Sequence, residues 1–159
     1  MKTTVLLISI AISSLGFGQR LSTTFTDDYT QWDFDGERFR VAFSNDWDNW
    51  NYDECSIRTT FREDWDSWEV GSHVKMHTVF SNTFDSWEIK GHGKTIRVRT
   101  TFNDDYERWD VSGDADGTIR TVFSGDFERW NVDVEFETLE DDLKTAIVFV
   151  AVFTGFRNK

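Results

Sequence analysis

The chain has 159 residues, enough for one domain, with 29 acidic against 17 basic residues and a net charge of −12. That balance excludes nucleic acid and anionic membrane surfaces as expected partners, since both need Lys and Arg to replace counterions. The single Cys allows no internal disulfide, and the absence of Pro agrees with a chain made mostly of paired strands.

Residues 1–18 read as a secretory signal peptide. Lys2 supplies the positive end, Val5 to Phe17 the apolar stretch, and Gly16-Phe17-Gly18 the small-residue cleavage site before Gln19. The apolar stretch is shorter than the ~20 residues of a membrane span. The expected location is therefore secreted or periplasmic, in the cell envelope, with one mature domain over 19–159.

From residue 20 onward one unit recurs. A Phe is followed seven residues later by a Trp in Phe25/Trp32, Phe43/Trp50, Phe61/Trp68, Phe80/Trp87, Phe102/Trp109 and Phe123/Trp130. Successive Phe residues are 18, 18, 19, 22 and 21 positions apart, so the chain is a tandem repeat. Four residues after each Phe stands a second aromatic: Tyr29, Trp47, Trp65, Phe84, Tyr106 and Phe127. Polar turn-forming pairs such as Asn45-Asp46, Glu63-Asp64 and Gly125-Asp126 precede these aromatics. Each unit therefore reads as a β-hairpin, near 20–35, 38–53, 56–71, 74–90, 95–112 and 118–137.

The side chains fix a register. In the third hairpin Phe61 is expected to face Asp66, Thr59 to face Trp68 and Ile57 to face Val70. One face then carries Ile57, Thr59, Phe61, Asp66, Trp68 and Val70, mostly apolar, and the other Arg58, Thr60, Arg62, Trp65, Ser67 and Glu69, mostly polar. The same rule sets Arg58 against Glu69, His77 against Glu88 and Arg99 against Asp110. Such opposite-charge pairs contribute ~0.2–1 kcal/mol each. The expected core is the set of six Phe and six Trp residues.

The links between repeats are short at first, through Gly36-Glu37 and Glu54-Cys55, so neighbouring strands pair antiparallel. Later links lengthen, at Gly71-Ser72-His73, at Lys90 to Lys94 and at Ser112 to Gly117. Loops that grow on one edge are natural places to add binding. After the sixth repeat, Ala146 to Phe153 is apolar on both faces and rich in β-branched residues. It is expected to be a capping strand within 143–156.

The expected fold is thus all-β, an up-and-down meander of six hairpins plus a C-terminal strand. Left open, its apolar face would far exceed the ~300–600 Å² patch that a monomer tolerates. The face can be covered by closing a barrel, by folding as two packed sheets or by dimerising face to face, and a flattened barrel or two-sheet sandwich with the Phe/Trp face inside is expected. An outer-membrane barrel is an alternative, disfavoured because its strands need ~9–11 residues and its aromatics form girdles at the interfaces.

No residue set breaks the equivalence of the repeats chemically, and no catalytic order, cofactor motif or phosphate loop can be picked out. Thr30, Asp48, Asp66, Asp85, Glu107 and Glu128 share one position, which argues for a structural role near the hairpin tips. Asp28, Asp46, Asp64, Asp105 and Asp126 recur in the turns, where Asp accepts backbone N–H bonds. Asp114-Ala115-Asp116-Gly117 resembles the start of a calcium loop but lacks the later ligands. His73, His77 and His92 show no ligand spacing, so no metal site is expected. Cys55 sits in a turn as an incidental thiol.

The reading that follows is a non-enzymatic interaction or structural envelope module without a cofactor, whose partner is a protein or a neutral glycan. Tyr29, Trp47, Trp65, Phe84, Tyr106 and Phe127 are expected to lid the barrel end or pack over the turns; a carbohydrate-binding module is the alternative, with the same six residues as exposed platforms for sugar rings.

Overall fold

In the computed structural model, which describes residues 18–159, twelve strands follow one another and a helix comes after them. The signal peptide expected over 1–18 lies, apart from Gly18, outside the described residues. The strands are β1 (Gln19–Phe25), β2 (Asp28–Phe34), β3 (Glu37–Val41), β4 (Asn49–Tyr52), β5 (Cys55–Phe61) and β6 (Asp64–Val70). They continue with β7 (Val74–Phe80), β8 (Thr83–Gly91), β9 (Lys94–Thr100), β10 (Arg108–Gly113), β11 (Gly117–Thr121) and β12 (Arg129–Val134). Every strand pairs antiparallel with its sequence neighbours, and β1 pairs with β12, so the meander closes into a barrel. Leu21 opposite Trp130 marks the seam. Closure leaves no sheet edge open to another chain.

The register follows the alternation of side chains. Ile57 faces Val70 and Thr59 faces Trp68. Arg58, His77 and Arg99 face Glu69, Glu88 and Asp110. Arg58 donates to Glu69 at 2.9 Å, while His77 stands 3.5 Å from Glu88. The six Trp residues are all buried and project into the lumen.

The register departs from expectation at the tips. Phe61 pairs with Asp64 instead of Asp66, and the first and fourth hairpins shift in the same way. The extra residues on the second strand form a bulge, which breaks strict alternation. The residue at the tightest point of each tip has a left-handed backbone: Asp27, Asn45, Glu63, Asn82, Asp104 and Gly125. The bulged tips of the first, third and fourth hairpins, and the irregular turns that replace strand pairing in the other three, leave the six Phe residues outside the core. Phe25, Phe43, Phe61, Phe80, Phe102 and Phe123 are 59–68% exposed, so their expected place in the core is wrong.

The second departure is the C-terminal run. It forms helix α1 (Asp141–Arg157) instead of a capping strand, and Leu143 and the run from Thr145 to Phe156 are buried. A closed barrel offers no free edge to a thirteenth strand. A segment inside its lumen has to satisfy its own N–H and C=O groups, which only a helix does. The size also fits. Twelve strands ~4.8 Å apart and tilted by 35–45° give a radius of roughly 12 Å. A helix ~10–12 Å across leaves a sleeve about one aromatic side chain thick. Trp50, Trp68 and Trp87 fill part of it, with ring centroids 5.0–5.8 Å from Phe149 or Phe153.

Candidate functional site at the two mouths of the barrel

The topology gives the barrel two unlike ends. All six hairpin turns lie at one mouth, and all inter-repeat links lie at the other. Helix α1 begins at the link mouth and ends at the tip mouth.

At the tip mouth a local circuit recurs. The turn carboxylates of Asp28, Asp46, Asp64, Asp105 and Asp126 accept the N–H two residues on, at 2.9–3.1 Å. This Asx geometry turns the next carbonyl towards the core, where the indole N–H of the repeat's Trp donates to it. Trp32, Trp50, Trp68, Trp109 and Trp130 donate to the carbonyls of Tyr29, Trp47, Trp65, Tyr106 and Phe127 at 2.8–3.1 Å. The fourth repeat carries Thr83 in place of the Asp. There, among the described residues, the buried Nε1 of Trp87 and Oδ1 of Asp85 have no partner.

A second circuit joins neighbouring repeats. Asp48 accepts the N–H of Glu63 and the indole N–H of Trp65, each at 2.9 Å. Asp66 accepts the N–H of Asn82 at 2.9 Å and the hydroxyls of Thr78 and Ser81. Glu107 accepts the N–H of Gly125 at 2.6 Å. Glu128 accepts the N–H of Asp27 across the β12–β1 seam. These four acids staple four of the six turns to the next.

The second aromatics are not an exposed row. Tyr29, Trp47, Trp65, Phe84, Tyr106 and Phe127 are half-buried and packed against the core. Trp47 stacks on Phe156 at 5.0 Å, and Phe84 meets Phe153 at 5.1 Å. Arg157 lies 4.6 Å over Phe84, and Lys159 lies 3.7 Å over Trp47. They close the mouth around the end of α1 as a lid, not as a row of open platforms. Burial, then the nearby Glu128 and Asp27, raises the pKa of the Tyr29 phenol. The open aromatic surface belongs instead to the six tip Phe residues, with Asp27, Glu63, Asp104 and Arg62 exposed beside them.

The link mouth is polar and acidic. A cleft of about 490 Å³ is lined by Asp35, Glu37, Asp53, Glu54, Asp141 and Asp142, with Tyr52, Cys55 and His73 among its other walls. Lys144 of α1 pairs with Asp35, and Lys94 pairs with Glu140 at 2.7 Å. The hydrogen bond from Lys94 holds the Glu140 carboxyl below its ordinary range. Tyr52 donates to the carbonyl of Phe34 at 2.9 Å, and burial raises its phenol far above the usual value. Burial, with the Asp142 charge, pushes the Cys55 thiol up to about 11. A thiol so protonated at neutral pH is a weak nucleophile.

The link at Lys90–Lys94 is not a longer loop. Strands β8 and β9 run through it to a two-residue turn at His92-Gly93, with φ of 52° and 74°. That turn brings His92 beside His73 of the β6–β7 link and Asp142 of α1, a grouping that linear spacing did not reveal. The repeat register was the available signal, because it places successive links side by side on one rim. His77 stays on strand β7 with Glu88. No protein-family model, curated protein or solved structure matches the chain.

Proposed function

We propose that the protein is a non-enzymatic interaction module of the cell envelope or the secreted fraction, and that the tip mouth is its contact face. The observation that carries this reading is the set of six Phe residues, 59–68% exposed at equivalent positions around one mouth. A folded monomer seldom leaves that much aromatic area in water without a partner, and aromatic side chains dominate contact energies. Nothing in the fold requires Phe there, because the Trp residues and α1 already fill the lumen.

Charge narrows the partner. Asp27, Glu63 and Asp104 lie exposed in the same turns and, together with the turn and staple carboxylates, outnumber Arg62, Arg129, Arg157 and Lys159 at this mouth, so two copies meeting mouth to mouth would set net like charge together. The complementary surface is a protein carrying apolar side chains flanked by Lys or Arg. The recurring carboxylates are engaged in holding turns, and the Cys55 thiol is poorly activated, which supports a binding role over a catalytic one.

The test uses amphipathic peptides of matched hydrophobicity with basic or acidic polar faces, titrated against the wild type and a Phe43→Ser/Phe61→Ser/Phe80→Ser variant. Binding of the basic peptide, lost in the variant, supports the reading. Equal binding by the variant removes the Phe set as the contact face. Binding to zwitterionic vesicles in preference to either peptide replaces the protein partner with a lipid surface.

A further inference from the structure

We propose that His73, His92 and Asp142 form a binding site for a divalent transition-metal cation, with Zn²⁺ the best match, and that the ion pins α1 to the link mouth. The site lies at the opposite end from the Phe residues and is independent of the docking reading.

Three separate segments meet there. His73 belongs to the β6–β7 link, His92 to the β8–β9 turn and Asp142 to the first turn of α1. One potential ligand atom from each lies within 4.8 Å of the other two. Nε2 of His92 is 2.9 Å from both carboxylate oxygens of Asp142. Adjacent ligands on a tetrahedral ion with bonds of ~2.0–2.1 Å stand about 3.3–3.4 Å apart, so this pair has to open by only about 0.5 Å to hold an ion. The His73 and His92 rings are 5.2 Å apart at 47°. An ion pair with Asp142 accounts for His92, but not for a second imidazole held beside it. A modest rotation of the exposed His73 side chain brings its nitrogen into the coordination sphere.

The ligand types select the metal. Two imidazoles and one carboxylate suit Zn²⁺, Ni²⁺ or Cu²⁺, whereas Mg²⁺ and Ca²⁺ take oxygen ligands. Three protein ligands leave the remaining position or positions to water. Asp35, Glu37, Asp53, Glu54 and Asp141 line the same mouth and concentrate cations there. The backbone is also fitted to the approach. Gly71 has φ +60°, and a Cβ on it would lie 3.1 Å from Cβ of Asp142. A side chain at that position would strain the left-handed backbone and crowd Asp142.

Zn²⁺ bound here would join two barrel links to α1, and so stabilise the folded state by mass action. At a free concentration 100-fold above Kd the gain is ~2.7 kcal/mol. For a protein of this size that raises Tm by about 5–10 °C.

The experiment titrates the folded chain with ZnCl₂ by calorimetry and follows Tm with and without the ion. The expected result is one ion per chain, with the affinity reduced at least tenfold and the Tm gain lost in both His73→Ala and His92→Ala. His77→Ala and Cys55→Ser are expected to bind as the wild type does. His73→Ala leaves the His92–Asp142 pair intact, so it remains informative even where His92→Ala weakens the fold. Four outcomes overturn the proposal: no Zn²⁺ binding at 100 µM, undiminished binding in both His variants, loss only in Cys55→Ser, or equal affinity for Mg²⁺. The Phe43→Ser/Phe61→Ser/Phe80→Ser variant keeps the metal response, which separates this test from the docking test.

Discussion

Replacing Gly155 by Ala sets two effects of opposite sign against each other. Gly155 lies inside α1, where Ala is normally better than Gly by ~1 kcal/mol. In this helix a Cβ at position 155 falls 2.6 Å from Cζ2 of Trp32 and 3.0 Å from the carbonyl oxygen of Phe127. The Trp32 ring is fully buried, its indole N–H is held by the Tyr29 carbonyl, and the Phe127 oxygen is main chain. Neither yields cheaply. Overpacking of this kind costs ~1–3 kcal/mol, so after the helix gain Gly155→Ala is expected to destabilise by up to about 2 kcal/mol net, and Gly155→Val by more. In Tm the Ala change corresponds to a fall of up to about 8 °C. Urea unfolding followed by far-ultraviolet circular dichroism measures this without relying on tryptophan emission. A Trp32→Phe background supplies the decisive comparison, because it removes the ring atoms that the new methyl meets. There the cost of Gly155→Ala will shrink or change sign, although Trp32→Phe itself costs stability. Stabilisation by Gly155→Ala in the wild type, or the same effect in both backgrounds, would refute the close fit between α1 and the barrel wall.

Three further outcomes are expected. Trp68→Ala, at a fully buried position, will lose ~3–5 kcal/mol, whereas Phe61→Ala, at an exposed tip, will lose less than about 0.5 kcal/mol; similar losses on urea unfolding would contradict the assignment of core and surface. Asp66→Ala will cost ~1–3 kcal/mol and speed amide exchange at Asn82, because it removes the acceptor for that N–H and for the Thr78 and Ser81 hydroxyls; unchanged exchange at Asn82 would mean that the staple is unimportant. Glu88 has its pKa lowered chiefly by the hydrogen bond from Lys90, helped by His77 and Arg97. Its stabilisation is therefore present above the ordinary carboxylate range and lost as pH falls through its lowered pKa. Glu88→Gln will cost ~0.5–1 kcal/mol at pH 7, a difference that closes in strong acid; a gap constant with pH would exclude the charge as its cause.

The sheet was legible in the sequence because its signal repeats. Two-residue alternation placed Trp68 opposite Thr59 and Arg58 opposite Glu69, and the excess apolar face required closure. Alternation failed at the tips, where a bulge changes which way the chain faces within one or two residues. Phe61 and Asp66 are therefore not partners, and the six Phe residues are exposed. The Asx circuit found at five of the tips depends on a three-dimensional match between the Asp carboxylate, the aromatic carbonyl and the Trp indole, which linear alternation does not display. The helix failed for a different reason. Ile147, Val148, Val150 and Val152 have strand propensity, but propensity is weak against burial. Inside a closed wall the backbone has no partner but itself. The His73–His92–Asp142 grouping was hidden because it draws on two links and a helix far apart in the chain. The register alone could have set the two histidines on neighbouring links, but not Asp142 beside them.

The order of elements has a consequence for how the molecule is made. The segment that occupies the lumen is C-terminal to all twelve strands, and the β1–β12 seam joins the two ends of the sheet. A ribosome therefore releases every strand before the residues that fill the space between them. Until α1 emerges, the partly formed sheet has six indoles and no filling, so the barrel cannot reach its final form during synthesis. The last step of folding has to combine entry of α1 with closure of the seam, a long-range event that is slow compared with hairpin formation. A chain whose C-terminal segment is still withheld therefore cannot complete its barrel, however many of its hairpins have formed.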